Sequence, residues 1–171
     1  MNRVVITGVG AVTAFGNTWP EIRTAMLRYE NAVRYMPEWR DVTDLNAKLG
    51  APVDGYRPPA HWTRKQLRSL GPVSQMCVDA GERALADAGL LDDPAIRDGR
   101  MGVASGSSTG STRDICDLAQ LIMYGHSEKF SANTYIRMMP HTTAANLAIF
   151  FGLKGRLIPT SSACTSGSQA I

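Results

Sequence analysis

The chain has 171 residues, of which 44% are apolar and 19% are charged, and its net charge is +3. This length and apolar content are enough to bury a hydrophobic core, which excludes a disordered chain. Because the small positive charge is spread along the sequence, it also argues against a nucleic-acid partner, whose binding needs a clustered basic face.

The first predicted element is a buried strand over Val4 to Ile6, a short apolar run followed by a glycine turn at Gly8 and Gly10. Thr18-Trp19-Pro20-Glu21 then has the form of a capping box and predicts the start of a helix. The expected inward side chains of this helix follow at helical spacing: Ile22, Ala25, Met26 and Tyr29. Prolines interrupt the next stretch, from Asn31 to about His61, which we expect to be irregular surface structure.

A second helix is predicted from Pro72 to Ala88, with Gly89 as its stop. Its expected inward stripe is apolar: Val73, Met76, Cys77, Ala80, Ala84 and Leu85. A strand is predicted over Met101 to Ser105, and a helix from about Thr112 to Tyr124 follows it. The inward side chains expected on that helix are also apolar: Ile115, Leu118, Ala119 and Ile122.

The last predicted elements are a helix from about Thr143 to Phe151, a strand over Arg156 to Ser161, and a helix that Cys164 opens. Strands that alternate with helices predict an α/β fold in which helices cover the faces of a sheet. We expect no signal peptide, because the N-terminus is not a basic leader followed by an apolar stretch. No apolar run is long enough to predict a bilayer span.

Cys164 is the residue to which we assign the chemistry. It follows a predicted strand and begins a helix, and a helix N-terminus stabilises a thiolate over a thiol. The small neighbouring residues would let a substrate approach the sulfur: Ala163, Thr165, Ser166 and Gly167. The alternative is a buried structural cysteine. A disulfide framework or zinc site is not expected, because Cys77, Cys116 and Cys164 are odd in number and widely spaced.

The segment Thr160-Ser161-Ser162-Ala163-Cys164-Thr165-Ser166-Gly167 resembles the nucleophile motif of the β-ketoacyl-acyl-carrier-protein synthases. Three further segments resemble parts of the same family in the right order: 4–13 its opening strand and turn, 102–110 its second core strand and glycine-rich loop, and 151–156 the approach to its nucleophile strand. The resemblance therefore runs from residue 3 to the last residue.

This resemblance implies the thiolase fold, an α/β architecture whose complete form has two similar halves packed in α/β/α/β/α layers. Residues 1–171 would be most of the first half, an N-terminal half-domain truncated inside the nucleophile helix, with the C-terminal half absent. The family's two catalytic histidines, its lysine and its second oxyanion donor come from later in the chain. We therefore expect these 171 residues alone to be inactive.

The implied reaction is that of a 3-oxoacyl-carrier-protein synthase. Cys164 would take an acyl group from a carrier-protein thioester, and a decarboxylative Claisen condensation with the malonyl carrier would then lengthen the chain in fatty-acid or polyketide and polyene synthesis. The Cys164 backbone N–H would donate to the oxyanion, and Thr109 would line the acyl pocket. The expected partners are an acyl carrier protein carrying acyl and malonyl groups and a second subunit in a homodimer or related heterodimer.

No organic cofactor, metal, nucleic acid or membrane is expected to take part, and reduced cysteines indicate the cytoplasm. Gly8-Val9-Gly10 also resembles part of a dinucleotide fingerprint, but Thr13 occupies the third glycine position. For the histidines we expect surface or structural positions: His61 on the surface, His126 at a helix end and His141 at a helix start.

Three alternatives remain open at this point. A thiolase or other condensing enzyme would differ in its later motifs, and a chain-length-determining subunit of the same fold typically lacks the nucleophile. A serine hydrolase would use Ser108 in Gly106-Ser107-Ser108-Thr109-Gly110, which fits a nucleophile elbow. Its base would be His126 or His141 and its acid Asp114 or Asp117. Both aspartates lie on the helix directly after the serine, whereas that fold places them after later strands.

Overall fold

Helices α3 (Pro72–Asp87) and α6 (Thr142–Phe151) pack against each other in the computed structural model, which describes residues 3–171. The core around them consists of apolar side chains that are at most 7% exposed: Trp62, Leu70, Val78, Ile96, Leu147 and Phe151. Burying a side chain of this kind contributes about 1.5–3 kcal/mol to the free energy of unfolding, so this cluster is a main source of the stability of the fold.

Within residues 3–171 the chain forms five further α-helices: α1 (Trp19–Leu27), α2 (Arg64–Leu67), α4 (Thr112–Tyr124), α5 (Ala132–Met138) and α7 (Ser166–Gln169). Three 3₁₀ segments occur between them: Pro37–Trp39, Pro94–Arg97 and Ala163–Thr165. None of the helices in this part of the chain combines the length and the apolar character that crossing a bilayer requires.

Local capping chemistry explains where several helices begin and end. The Thr18 side chain accepts from the Glu21 amide while the Glu21 carboxylate accepts from the Thr18 amide, which confirms the predicted capping box. Gly152 has φ 70° and ends α6 as predicted, and Gly89, with the same φ, follows the end of α3. These glycines adopt the left-handed backbone that other residues avoid.

The parallel strands β3 (Val103–Gly106) and β4 (Leu157–Thr160) confirm the two later strand predictions. Their register places Gly106 opposite Thr160. The carboxyl ends of parallel strands meet at one edge of a sheet, where α/β proteins place their ligands. The segments that follow these two strands are therefore brought together.

The stretch after α1 is irregular as predicted, apart from one short hairpin. Strand β1 (Arg34–Tyr35) pairs antiparallel with β2 (Leu49–Gly50), and a 3₁₀ segment lies between them. The hairpin is only two residues long on each side, and its exposed side chains leave little periodicity to detect.

The predicted buried strand at the N-terminus is wrong. No strand is present over Val4 to Ile6, and these two side chains are 92% and 87% exposed. Within residues 3–171, β3 pairs with β4 alone, so no partner strand covers the apolar run. The predicted turn at Gly8 and Gly10 is also wrong: both glycines lie against α3, where a Cβ on Gly10 would stand 2.0 Å from the Ala80 carbonyl oxygen.

Helix α1 buries only half of its predicted inward face. Ile22 and Ala25 are buried, whereas Met26 and Tyr29 are 60% and 94% exposed. Tyr29 lies beyond the end of the helix and has φ 55°, so helical spacing no longer determines the direction of its side chain.

Helix α3 has the predicted extent but a different buried face. Val78 is fully buried and Ser74 is 3% exposed, whereas the predicted inward residues are half-buried. Polar contacts with α6 account for the difference: the Asn146 amide donates to the Ser74 hydroxyl at 3.1 Å, and the Ser74 and Thr143 hydroxyls are 3.4 Å apart. A pattern built on apolar residues cannot anticipate an interface that uses hydroxyls.

Helix α4 also has its predicted bounds but presents another face to the protein. Ile115 and Ile122, predicted inward, are 40% and 74% exposed, and Asp114 is the buried residue. The cause is an ion pair, because Arg137 Nε donates to Asp114 Oδ1 at 2.7 Å and turns that side of the helix toward α5. The other two predicted inward residues are half-buried: Leu118 and Ala119.

Candidate nucleophile site

Cys164 lies in the 3₁₀ turn Ala163–Thr165, which joins β4 to α7, and its thiol is exposed. The strand-to-turn position agrees with the sequence prediction, and the alternative of a buried structural cysteine is wrong. As predicted, Cys164 lies in the first turn of a helical segment, which opens as a 3₁₀ turn and continues as α7 from Ser166.

The residue before the cysteine has a strained backbone. Ala163 has φ 49°, in the left-handed region that alanine rarely adopts. Holding a non-glycine residue there costs on the order of 1–2 kcal/mol, so surrounding contacts must compensate. Strain of this kind clusters at functional sites, where a side chain has to be presented in one direction.

Ser166, which is 3% exposed, supplies most of these compensating contacts. Its hydroxyl oxygen accepts from the Ser162 amide at 2.8 Å, and the hydroxyl donates to the Ala163 carbonyl at 2.7 Å. The Ser166 amide donates to the same carbonyl. The Thr160 hydroxyl donates to the Ser166 carbonyl at 2.8 Å, so the turn is tied to the end of β4 as well.

The end of β3 lies directly against this turn. A Cβ on Gly106 would stand only 2.0 Å from the Ser166 carbonyl oxygen, so no side chain fits there. The Ser107 amide donates to the Thr160 carbonyl at 3.0 Å and extends the contact between the two strands. The glycine-rich motif and the cysteine motif, which are distant in sequence, therefore form one structural unit.

Thr109 belongs to the loop that follows Gly106, and its side chain is exposed. The Ser107 hydroxyl donates to the Thr109 carbonyl at 2.7 Å and shapes this loop. The fold thus brings Thr109 to the same edge of the sheet as Cys164, and its role in lining an acyl pocket stays a prediction.

Of the residues that a serine hydrolase would need, Asp114 is engaged elsewhere, and the serine and both histidines are exposed at separate places in the fold. Ser108 is exposed on the loop, but the Asp114 carboxylate is paired with Arg137. His126 is exposed beyond the end of α4, where Gly125 rather than the imidazole provides the cap. His141 stands at the start of α6, as predicted, and its side chain forms no cap there.

His61 is exposed, as predicted, and takes part in a contact with α3. Its Nε2 atom lies 2.8 Å from Glu82 Oε1, while the indole N–H of Trp62 donates to Glu82 Oε2 at 3.1 Å. This arrangement fastens the end of the irregular stretch to the helix, which is a structural role.

The backbone amide of Cys164 is available as a donor. Within residues 3–171 it makes no backbone hydrogen bond, because the 3₁₀ turn uses the amides of Thr165 and Ser166. An exposed thiol beside an unpaired N–H suits attack on a carbonyl carbon, in which the sulfur forms the bond and the N–H stabilises the resulting oxyanion.

Two parts of this site, Ser166 and Gly106, are not identified by their sequence context, and neither is helix α5 among the predicted elements. Ser166 enters the sequence prediction only as a small neighbour of Cys164, although a serine at this spacing is a common source of local side-chain to backbone hydrogen bonds. Gly106 gave no sign of its contact with α7, which depends on tertiary structure. Helix α5 has a local signal that could have been found, the capping box of Ser131 and Thr134.

No group of three histidine, cysteine, aspartate or glutamate side chains in residues 3–171 is placed to hold an ion. The three cysteines are all unpaired thiols.

Known proteins match the whole chain. The family described as Beta-ketoacyl synthase, N-terminal domain, matches residues 1–171. A 3-oxoacyl-[acyl-carrier-protein] synthase 2 from Vibrio cholerae is 30% identical over 99% of this chain and 40% of its own length. The crystal structure of a beta-ketoacyl synthase from Burkholderia phymatum STM815 has a TM-score of 0.93 at 52% identity, covering 99% of this chain and 42% of that one.

A third match shows the fold alone. A type II PKS ketosynthase, in complex with its acyl-carrier protein and bound to the hexaketide, has a TM-score of 0.78 at 20% identity, covering 99% of this chain and 44% of that one. These matches confirm the predicted thiolase-like α/β fold. The chain spans about two fifths of the length of the relatives it matches, 40% for the Vibrio cholerae protein.

Proposed function

The chain belongs to the β-ketoacyl synthase family, and on that premise we propose that it is the N-terminal half of a 3-oxoacyl-carrier-protein synthase with Cys164 as its nucleophile. The position of Cys164 carries the proposal: the thiol is exposed on a strained turn at the edge where β3 and β4 end. The groups that complete the reaction would belong to the rest of the enzyme, since the matched relatives are more than twice as long.

In the first half-reaction the Cys164 thiolate attacks the carbonyl carbon of an acyl thioester on a carrier protein. A carbon–sulfur bond forms, and the carbonyl electrons move onto the oxygen, where the Cys164 amide donates a hydrogen bond. When the oxyanion collapses, the bond to the carrier sulfur breaks. The carrier leaves as a thiolate and takes a proton, and the acyl group remains on Cys164.

In the second half-reaction a malonyl group on the carrier loses its carboxylate as carbon dioxide and becomes an enolate. The enolate carbon attacks the acyl carbon on Cys164, and the second oxyanion forms at the same amide. Collapse of this intermediate breaks the bond to Cys164 and regenerates the thiolate. The product is a 3-oxoacyl thioester that is two carbons longer, in fatty-acid or polyketide and polyene elongation.

The proposed partner is an acyl carrier protein that brings the acyl and malonyl groups in turn. A ketosynthase of the same fold is known in complex with its acyl-carrier protein, and the mildly positive charge of this chain suits an acidic carrier. We propose a homodimer or related heterodimer as the assembly and the cytoplasm as the location, since all three cysteines are free thiols. A chain-length-determining subunit is disfavoured because the nucleophile is present.

The test is acyl loading of the intact enzyme, measured by mass spectrometry after exposure to an acyl carrier thioester. Cys164→Ala should abolish the covalent acyl adduct, because no other thiol lies on the strained turn. Ser108→Ala serves as the matched control and should load and condense at close to the normal rate, since Ser108 is an exposed loop residue that the mechanism does not use.

Labelling that persists in Cys164→Ala would show that the nucleophile is another residue. Complete loss of activity in Ser108→Ala, with Cys164→Ala still active, would favour the hydrolase instead.

A further inference from the structure

One peptide unit joins the strained residue Ala163 to Cys164, and hydrogen bonds from Ser166 fix its orientation. The Ala163 carbonyl oxygen accepts from the Ser166 hydroxyl at 2.7 Å and from the Ser166 amide. The same hydroxyl oxygen accepts from the Ser162 amide at 2.8 Å, so it spans the turn from one side to the other. Ser166 itself is fixed, because it is 3% exposed and its own carbonyl is bonded to Thr160.

The held carbonyl and the Cys164 amide belong to the same peptide unit. A peptide unit is planar and trans, so its C=O and N–H point in opposite directions. Whatever fixes the direction of the Ala163 oxygen therefore also fixes the direction of the Cys164 N–H. This amide makes no backbone hydrogen bond within residues 3–171, so no backbone partner of its own orients it.

We propose that Ser166 is a positioning residue: its hydroxyl holds the Ala163–Cys164 peptide plane and thereby aims the Cys164 N–H at the oxyanion. This inference rests on the proposed function. It assigns to a buried hydroxyl a task distinct from that of the sulfur, because the hydrogen bonds of the Ser166 hydroxyl go to the backbone of the turn.

The proposal separates two kinds of reaction at the same sulfur. Acyl transfer from a thioester passes through an oxyanion, and it depends on a donor that is already in place. Alkylation by iodoacetamide displaces iodide at a saturated carbon, forms no oxyanion, and needs only an accessible thiolate. Loss of the Ser166 hydroxyl should therefore slow the first reaction and leave the second unchanged.

The experiment compares Ser166→Ala with the wild type in the intact enzyme. Single-turnover acyl transfer from an acyl carrier thioester should fall by about tenfold or more, less than the 10²–10³ expected for loss of a whole oxyanion donor, since the Ser166 amide still holds the carbonyl. The rate of carbamidomethylation at Cys164, followed by peptide mass spectrometry, should stay within about twofold of the wild type.

The matched control is Ser168→Ala, which removes an exposed hydroxyl from the same helix and should leave both rates unchanged. Ser166→Thr keeps a hydroxyl and should recover most of the acyl-transfer rate. If Ser166→Ala does not fold, Ser166→Cys fills the same space with a weaker hydrogen-bonding group and should show the same selective loss.

Equal losses in acyl transfer and alkylation would overturn the proposal, because they would mean a general disturbance of the turn. No loss in either rate would overturn it as well. The proposed function is checked separately: if the wild type does not load an acyl group, or Cys164→Ala still does, it is the function that fails.

Discussion

At the scale of single residues, the three cysteines show how surroundings separate one thiol from another. Cys77 is half-buried on α3, and burial raises the pKa of its thiol, partly opposed by a hydrogen bond with Ser105. Cys116 and Cys164 are exposed, one on α4 and the other on the strained turn. Of the three cysteines, only Cys164 combines an exposed thiol with a backbone amide that makes no backbone hydrogen bond within residues 3–171.

These differences predict the order in which the thiols react. In the intact protein at about pH 8, iodoacetamide should modify the exposed Cys116 and Cys164 before Cys77, because the thiolate is the reactive form and burial disfavours it at Cys77. Rates for each cysteine are read by peptide mass spectrometry, with Cys116 as the internal reference for an exposed helical thiol. Modification of Cys77 at the same rate as the two exposed thiols would contradict its raised pKa.

The site residues differ in how far the sequence could identify them. Cys164 is recognisable because its neighbours and its place after a strand are local properties. Ser166 lies within the same motif, but its role depends on the left-handed φ of Ala163. An alanine in the sequence does not predict that conformation. The contact of Gly106 with Ser166 could not be predicted, since it requires knowledge of how the two strands align.

At the scale of helices and strands, the sequence predicts where most elements begin and end but not which faces of the helices are buried. Helix ends follow from capping groups and glycines within a few residues of the chain, as at Thr18 and Gly152. The buried faces of α3 and α4 instead follow from polar contacts between distant segments. Ser74 meets Asn146, and Asp114 meets Arg137, so an apolar pattern points to the wrong side of each helix.

The Arg137 side chain joins three helices and should contribute to stability. It pairs with Asp114 of α4, and it also donates to the Arg68 carbonyl at the end of α2, at 3.4 Å. Arg137→Ala should lower the free energy of unfolding by about 3 kcal/mol, because it leaves a buried carboxylate without its partner.

The measurement is denaturant unfolding of the intact protein followed by circular dichroism. Arg113→Ala is the control, since Arg113 is an exposed arginine on α4 and its loss should change stability by less than about 0.5 kcal/mol. Equal effects of the two substitutions would show that the ion pair with Asp114 contributes nothing beyond a surface charge.

At the scale of the whole molecule, the irregular stretch and polar side chains of α3 line a common cavity. Tyr56 lies on a cavity of about 430 Å³ beside Asp79 and Arg83, which form an ion pair at 2.8 Å. The Tyr56 hydroxyl is buried and faces the Asp79 carboxylate. Burial, and then the charge of Asp79, raises its pKa to about 12.

This shift predicts how stability depends on alkaline pH. An unfolded tyrosine ionises near about pH 10, whereas folded Tyr56 keeps its proton to about 12, so the native state is favoured fully below the first value and progressively less above it. Tyr56→Phe removes this group, so the free energy of unfolding should fall less steeply above about pH 10 than in the wild type.

The intact protein is unfolded with denaturant at a series of pH values to measure this slope. Tyr124→Phe is the control, because Tyr124 is 75% exposed and its loss should leave the slope as it is. The same slope in Tyr56→Phe and the wild type would contradict the raised pKa.

The described residues also leave much apolar surface uncovered. Val4 and Ile6 are almost fully exposed, as is Ile149 of α6 at 79%, and Ile158 of β4 is 42% exposed. Exposed apolar side chains near an unpaired strand edge favour association with other chains. This is consistent with the proposal that the chain is the N-terminal half of a longer enzyme, so each measurement uses the intact protein.

The closeness of Gly106 to the nucleophile turn has a practical consequence for redesign of substrate range. Mutagenesis libraries that aim to admit longer or bulkier acyl chains should hold position 106 constant, because any added atom there would displace the backbone that carries Ser166. Diversity is better placed at Thr109, an exposed side chain on the same loop that is predicted to line the acyl pocket. Selectivity for the acyl chain could then be changed while the turn that carries Cys164 keeps its structure.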